Sequence, residues 1–365
     1  MLQLVLQAVP IQRGSADGQV SYIASMSFGD AARLLDLDYL YVANQAELAD
    51  LAQRKLNIAR VNSIAQYILE NHAKGTIFFP PVCVNIQPAP LYNDGRLLLP
   101  YSSVTMRLTD GQHRCFGIRQ ALKQSQSRDP DTFSILSRLE IGVLVYSALS
   151  LEDERQAFRD QNLLVQRPSV SLSHYFDQRS PEVLIAKALM QRVSCFRDNI
   201  EQIERGLGSK NSKLITLSTL VTATRYMFPN LKNNHQFEFK LEWAVHFWET
   251  ISKIFPNDPW QLKDLEEQRQ QRKSSLLVSA VLFQALGMLG HDLLVEGVSP
   301  DELIKWLNRL QEVDWHRIHP LWLNKGITQP GVKGEVIISN TKTTVELCHQ
   351  ALREFIGLAS ITNPV

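Results

Sequence analysis

Two rhythms of hydrophobic and polar positions run along this chain. Leu2 to Ile11 alternates loosely and predicts a strand or edge segment. From Phe28 to Leu56 the chain is rich in Ala and Leu with acids interspersed, which predicts helices. Asn57 can cap a firmer helix in which Ile58, Val61, Ile64, Ala65 and Ile68 share one stripe and Gly75 marks the end. The texture then turns β-rich over 76–86, where Pro80 and Pro81 confine the segment to an edge or bulge. Leu97–Leu99 and Val104–Leu108 are further strand candidates. A helical period follows at Cys115, Ile118, Ala121 and Leu122, then a short apolar strand within Arg138–Tyr146. Ser150 and Asp153 form a capping pair for a helix through Asn162.

From Pro168 onward the strand signal fades. Helical patterns start at Pro181, Leu214, Phe237 and Pro300, and an apolar helix covers 276–290. The charged stretch Glu266–Lys273 reads as a solvated helix face. A helix is expected to end at Pro320 with Trp315 and Trp322 packed, and His316 and His319 lack partners for a metal tetrad. The tail runs from a strand, Glu335–Ser339, into a helix striped by Val345, Cys348, Leu352, Phe355 and Ile356. No repeat of 20–50 residues is visible. The pattern predicts an α+β protein: a strand and helical extension over 1–56, a small α/β core over 57–166, and a helical C-terminal domain over 167–365.

Composition narrows the function classes. The 365 residues are 44% hydrophobic and 21% charged, which is globular and excludes wholesale disorder. Lys and Arg number 38 against 37 Asp and Glu, a net charge of +1, which excludes a histone-like polycation. Cys83, Cys115, Cys195 and Cys348 form no CxxC pair, so neither a disulfide framework nor a zinc finger is expected. Met1–Pro10 lacks the basic flank of a signal peptide, and 276–290 is too short to span a bilayer. A cytoplasmic protein without a membrane partner is the expectation.

The even balance hides a local excess. Between Arg179 and Lys240 stand ten basic residues and five acids. Arg192, Arg197, Arg205, Lys210, Lys213 and Arg225 are candidate DNA contacts. The loop 206–213 before a helix is a geometry that docks phosphate. A solvated charged face is the alternative.

The sharpest local feature is Asp110-Gly111-Gln112-His113-Arg114 at a strand-to-helix junction, with Arg107 before it. A helix start offers backbone N–H groups and a positive dipole end, so this is a candidate anion site. Gly111 permits close approach, Arg114 can fork onto a phosphate, and Gln112 and His113 can add directional bonds. Asp110 could orient one of them or bind a metal. The alternative is a capped helix start with Arg114 in solvent. No Walker loop, G-x-S-x-G or HExxH occurs.

Thr109-Asp-Gly-Gln-His-Arg-Cys-Phe-Gly-Ile118 resembles the motif of the DGQHR-domain family, whose best-known members are the DndB proteins of DNA phosphorothioate (sulfur) modification systems. The segments Ala59–Ile68, Phe79–Val82, Phe158–Asn162 and Ile338–Val345 match in order, so the resemblance covers most of the chain. It implies a ParB/sulfiredoxin-like α/β core and a phosphate- or nucleotide-binding turn lined by Arg107, Gly111, Arg114 and Asn162. For a nucleotide hydrolase it implies Asp110, Gln112, His113 and Arg114 as catalytic residues and a nucleotide with Mg2+ as cofactor. Hydrolytic relatives tend to carry Gln where this chain has His113. The implied role is a repressor that binds promoter DNA of the modification cluster. Other modification proteins or a second copy of the chain are further implied partners, and a DNA nickase is an alternative activity.

Overall fold

The computed structural model describes residues 3–12, 20–41, 56–100, 104–163, 168–208, 210–231, 236–255, 264–332 and 335–358. The helices expected over 42–55 lie outside the described residues, as does Lys232 of the basic region. The chain divides into two compact units, Met1–Gln166 and Arg167–Val365.

The first unit is built on one mixed sheet of eight strands. They are β1 (Gln3–Gln12), β2 (Val20–Ser27), β3 (Leu40–Tyr41), β4 (Val82–Gln87), β5 (Leu91–Asn93), β6 (Arg96–Pro100), β7 (Thr105–Asp110) and β8 (Glu140–Ser147), in the order β3-β7-β4-β8-β2-β1-β6-β5. The β3–β7 and β4–β8 pairs are parallel and the other pairs antiparallel. Residues 3–12 and 20–27, read from the sequence as part of an extension, therefore supply two interior strands. Their alternation places Leu4, Leu6, Ala24 and Met26 in the core. Strand β4 begins at Val82, after Pro80 and Pro81, which cannot donate to a ladder.

Helices α1 (Phe28–Asp36), α2 (Ile58–Asn71), α3 (Gln112–Arg128) and α4 (Pro130–Arg138) pack into the core with Val84, Met106, Leu108 and Val143. The side chain of Asn57 caps α2 by accepting from the Arg60 N–H at 3.1 Å. Helix α5 (Leu151–Leu163) packs Ala157 against a separate small cluster of Cys83, Tyr146 and Leu149. Its start is fixed as the sequence suggests: Ser150 accepts the Asp153 N–H at 3.1 Å and donates to the Asp153 carboxylate at 2.6 Å.

The second unit is largely helical. It contains α6 (Val170–Phe176), α7 (Pro181–Arg192), a parallel strand pair β9 (Ile200–Glu201) and β10 (Ile215–Thr216), α8 (Leu217–Met227), α9 (Phe237–Ile254), α10 (Leu265–Ser274), α11 (Ala280–Val295), α12 (Leu303–Leu307), α13 (Pro320–Asn324) and α14 (Lys342–Ile356). Trp248 stacks on Phe283 with ring centroids 5.4 Å apart and meets Phe196 edge-on at 5.2 Å. Helices α8 and α11 approach so closely that a Cβ on Gly287 would lie 2.2 Å from the Ala223 carbonyl oxygen. Trp315 and Trp322 are buried and stacked, as expected. Pro320 opens a helix and does not end one, because the first turn needs no N–H from it. The tail strand shortens to Val336–Ile337.

Candidate functional site

A β-bulge aims the sharpest motif. Val84 pairs with Leu108 and Cys83 with Asp110, so Thr109 is an extra residue in β7. One added residue reverses the alternation of faces. Leu108 points into the core under α3, while Asp110 turns to the side of Cys83. The Thr109 hydroxyl is buried and has no hydrogen-bond partner among the described residues.

Gly111 then makes the turn with φ of 95°, a left-handed conformation that costs a side chain energy. A Cβ there would also sit 2.6 Å from Val82 Cγ1. The helix α3 that follows carries Arg114 back over the turn. Its Nη2 donates to Asp110 Oδ2 at 2.5 Å, and its Nη1 donates to the carbonyls of Pro80 at 2.6 Å and Pro81 at 2.9 Å. The arginine is 14% exposed and Asp110 42%. Three of the five guanidinium N–H groups are thus spent within the protein. The two prolines that interrupt the strand supply carbonyls that Arg114 takes.

His113 is buried, and its Nε2 accepts the backbone N–H of Asn57 at 3.0 Å. Because an amide can only donate, Nε2 is the unprotonated nitrogen of that ring. Gln112 is half-buried on the first turn of α3. Asn162 lies in the last turn of α5, and its side chain falls outside the described residues.

Arg107 belongs to a different arrangement. Its Nη1 meets Glu154 Oε2 at 2.9 Å, its Nε donates to the Tyr41 hydroxyl at 3.4 Å, and its guanidinium lies over the Tyr41 ring. Burial alone would lower the Arg107 pKa, but Tyr41 and Glu154 together raise it. Glu154 is 4% exposed and also accepts from Asn85, which exchanges two hydrogen bonds with the Leu149 backbone at 3.0 and 2.9 Å. Asn85 and Tyr41 carry no signal in the sequence, and Glu154 reads there only as one of the acids suited to the start of a helix. Glu154 stands 47 residues from Arg107 and 69 from Asn85, and Tyr41 stands 66 from Arg107, so only the fold brings them together. Beside the motif, burial and then the Asp110 charge push the Cys83 thiol up to about 11, which keeps it protonated and unreactive. Burial also pushes Cys115 up to about 12.

The candidate DNA contacts of the second unit separate into two sets. Arg192 makes a two-pronged pair with Glu242, both contacts at 2.6 Å, and Arg225 meets Glu182 at 3.0 Å. Their charge is offset locally. Arg197, Arg205, Lys210 and Lys213 have no carboxylate in an ion pair among the described residues. Arg197, Arg205 and Lys210 are exposed. Arg197 donates to the Gln191 carbonyl at 3.4 Å and Lys213 to the Asp198 carbonyl at 2.7 Å. Together with Asp198 these two cations line a cleft of about 530 Å³.

The fold and the turn define a class: α+β proteins in which a DGQHR turn joins an interior strand of a mixed sheet to a long covering helix. Within it, this chain belongs to the DndB family, described as DNA-sulfur modification-associated, whose sequence profile matches residues 9–359. No curated protein matches the chain significantly. Among the described residues no helix is long and apolar enough to cross a membrane.

Proposed function

We propose that this protein is a DNA-binding regulator that represses the gene cluster of a DNA sulfur-modification system. The observation that carries this reading is the set of four cations between Arg197 and Lys213 without carboxylate partners, in a family tied to DNA sulfur modification. Charges of that kind take up backbone phosphates and release counterions. The partner is double-stranded promoter DNA, and the cation-bearing unit is the helical one.

Nucleotide hydrolysis at the DGQHR turn has less support. The fork of Arg114 is largely spent on Asp110, Pro80 and Pro81, and His113 holds the start of α2. The arrangement favours a turn that locks its own strand and helix together.

Fluorescence anisotropy with a labelled promoter duplex across a salt series tests the regulator reading. We expect promoter affinity well above that for an unrelated duplex. Arg205→Ala and Lys210→Ala should each reduce the salt slope by about 1. Equal affinity for both duplexes, or no binding at low salt, removes specific repression.

A further inference from the structure

We propose that the cleft between Arg197 and Lys213 is a binding site for a single nucleotide unit, with its phosphate on these two cations and its sugar and base in the remaining space. Arg197 and Lys213 are shared with the regulator reading, but the inference goes beyond it, because a free nucleotide would use the same groups.

Chemistry and volume point the same way. Each cation keeps donors to spare: Lys213 commits one N–H to the Asp198 carbonyl, and Arg197 commits one to that of Gln191. Phosphate alone would leave most of the roughly 530 Å³ empty, whereas small-molecule sites span about 300–1,000 Å³. The walls combine apolar Met190, Phe196 and Ile200 with the polar ends of Gln191, Gln202 and Asp198. Walls in which polar groups prevail suit the ribose hydroxyls and the polar edge of a base.

The cations stand on braced backbone, which sets the cleft apart from a solvated charged face. Asp198 adopts φ of 65°, a left-handed conformation unusual for a residue with a side chain. The buried Asn199 holds that turn: its Nδ2 donates to the Cys195 carbonyl at 3.1 Å, and its own carbonyl accepts the Leu214 N–H at 2.9 Å. On the other side Arg272 Nη1 donates to the carbonyls of Asn211 at 2.7 Å and Lys213 at 2.6 Å. Arg272 has no carboxylate in an ion pair among the described residues, and burial together with the Arg269 charge lowers its pKa. A partly buried guanidinium short of counter-charge adds positive potential next to Lys213. Burial raises the Glu201 pKa, but bonds from the Glu204 and Ile203 N–H groups and from Asn211, with the Lys213 charge, lower it overall, so Glu201 stays ionised and offsets part of this potential.

Equilibrium dialysis of the full chain against the four deoxynucleoside monophosphates and against inorganic phosphate tests the site. We expect a monophosphate to bind at least about tenfold more tightly than inorganic phosphate, since the latter meets only the cations. Arg197→Ala and Lys213→Ala should each weaken nucleotide binding about tenfold. Gln202→Trp, which fills the cleft and leaves both cations in place, should abolish it. Thermal melts establish that the variants are folded. Competition with the labelled promoter duplex then separates the sources: displacement assigns the site to a nucleotide of bound DNA, and its absence assigns it to a free nucleotide. No nucleotide binding at millimolar concentration, or binding unchanged in all three variants, overturns the inference even where the duplex binds. A duplex that does not bind removes the regulator reading and leaves the nucleotide result standing.

Discussion

His113 accepts the backbone N–H of Asn57 at 3.0 Å, so the fourth letter of the motif fixes the residue that caps the neighbouring helix. Asn57 in turn uses its side chain on the Arg60 N–H. Two helix starts are thereby joined by one imidazole. We expect His113→Ala to lower unfolding free energy by about 2–3 kcal/mol, from an orphaned amide and a small cavity. Urea denaturation followed by circular dichroism measures it. A variant as stable as the parent would show that the contact carries no weight.

Arg114 holds Asp110 and two proline carbonyls through a planar fork. Lysine has the charge but not the geometry. Arg114→Lys and Arg114→Ala are therefore both expected to cost about 2–4 kcal/mol, with little rescue by lysine. If Arg114 served only a bound phosphate, neither change would move the denaturation midpoint.

Gly111 combines φ of 95° with a Cβ position 2.6 Å from Val82 Cγ1. Gly111→Ala should destabilise the first unit by about 2 kcal/mol or more, since strain and overlap add. A thermal melt that matches the parent would contradict this.

The second unit has a pH-sensitive clamp. Asp292 on α11 meets His349 Nε2 at 2.7 Å and also pairs with Arg353, both on α14. Burial raises its pKa, but the bonds and charges of His349 and Arg353 win, and the net shift is downward. A carboxyl lowered in the folded state stabilises above its unfolded pKa of about 3.9 and loses that contribution as pH falls through the folded value. Asp292→Asn should therefore be less stable than the parent at pH 7, with the gap closing below about pH 4. Midpoints of urea unfolding across pH read this, and a gap independent of pH would refute it.

All four cysteines are buried. Thiol titration with a chromogenic disulfide should find none accessible in the native protein and four in urea. Rapid reaction of one thiol in the native state would contradict this burial.

Much of the fold is legible in local chemistry. Asn57 and Ser150 cap the helices their neighbours predict, and the Leu97 and Val104 segments are strands. The helix α4 was missed although Asp129-Pro130 is a strong start signal, with Asp129 accepting from the Asp131 and Thr132 N–H groups. Strand β2 was missed because Val20–Ser27 mixes serines with apolar residues, and pairing on both sides supplies what propensity lacks. At the site, the strand–turn–helix setting of the motif was readable. The Arg107–Glu154–Asn85 network was not, because it joins β4, β7 and α5 through a register that no local pattern encodes. Nor could sequence show which of the six candidate DNA-facing cations have acidic partners, since Glu242 is 50 residues from Arg192.

The extra residue in β7 has a consequence for how the motif can be moved or recognised. The letters DGQHR do not contain their own aim. Grafted onto a strand of regular register, Asp110 would point into the helical layer and Arg114 would lose its partner. The portable unit begins one residue earlier, at Thr109, and needs an opposing strand that enters behind two prolines.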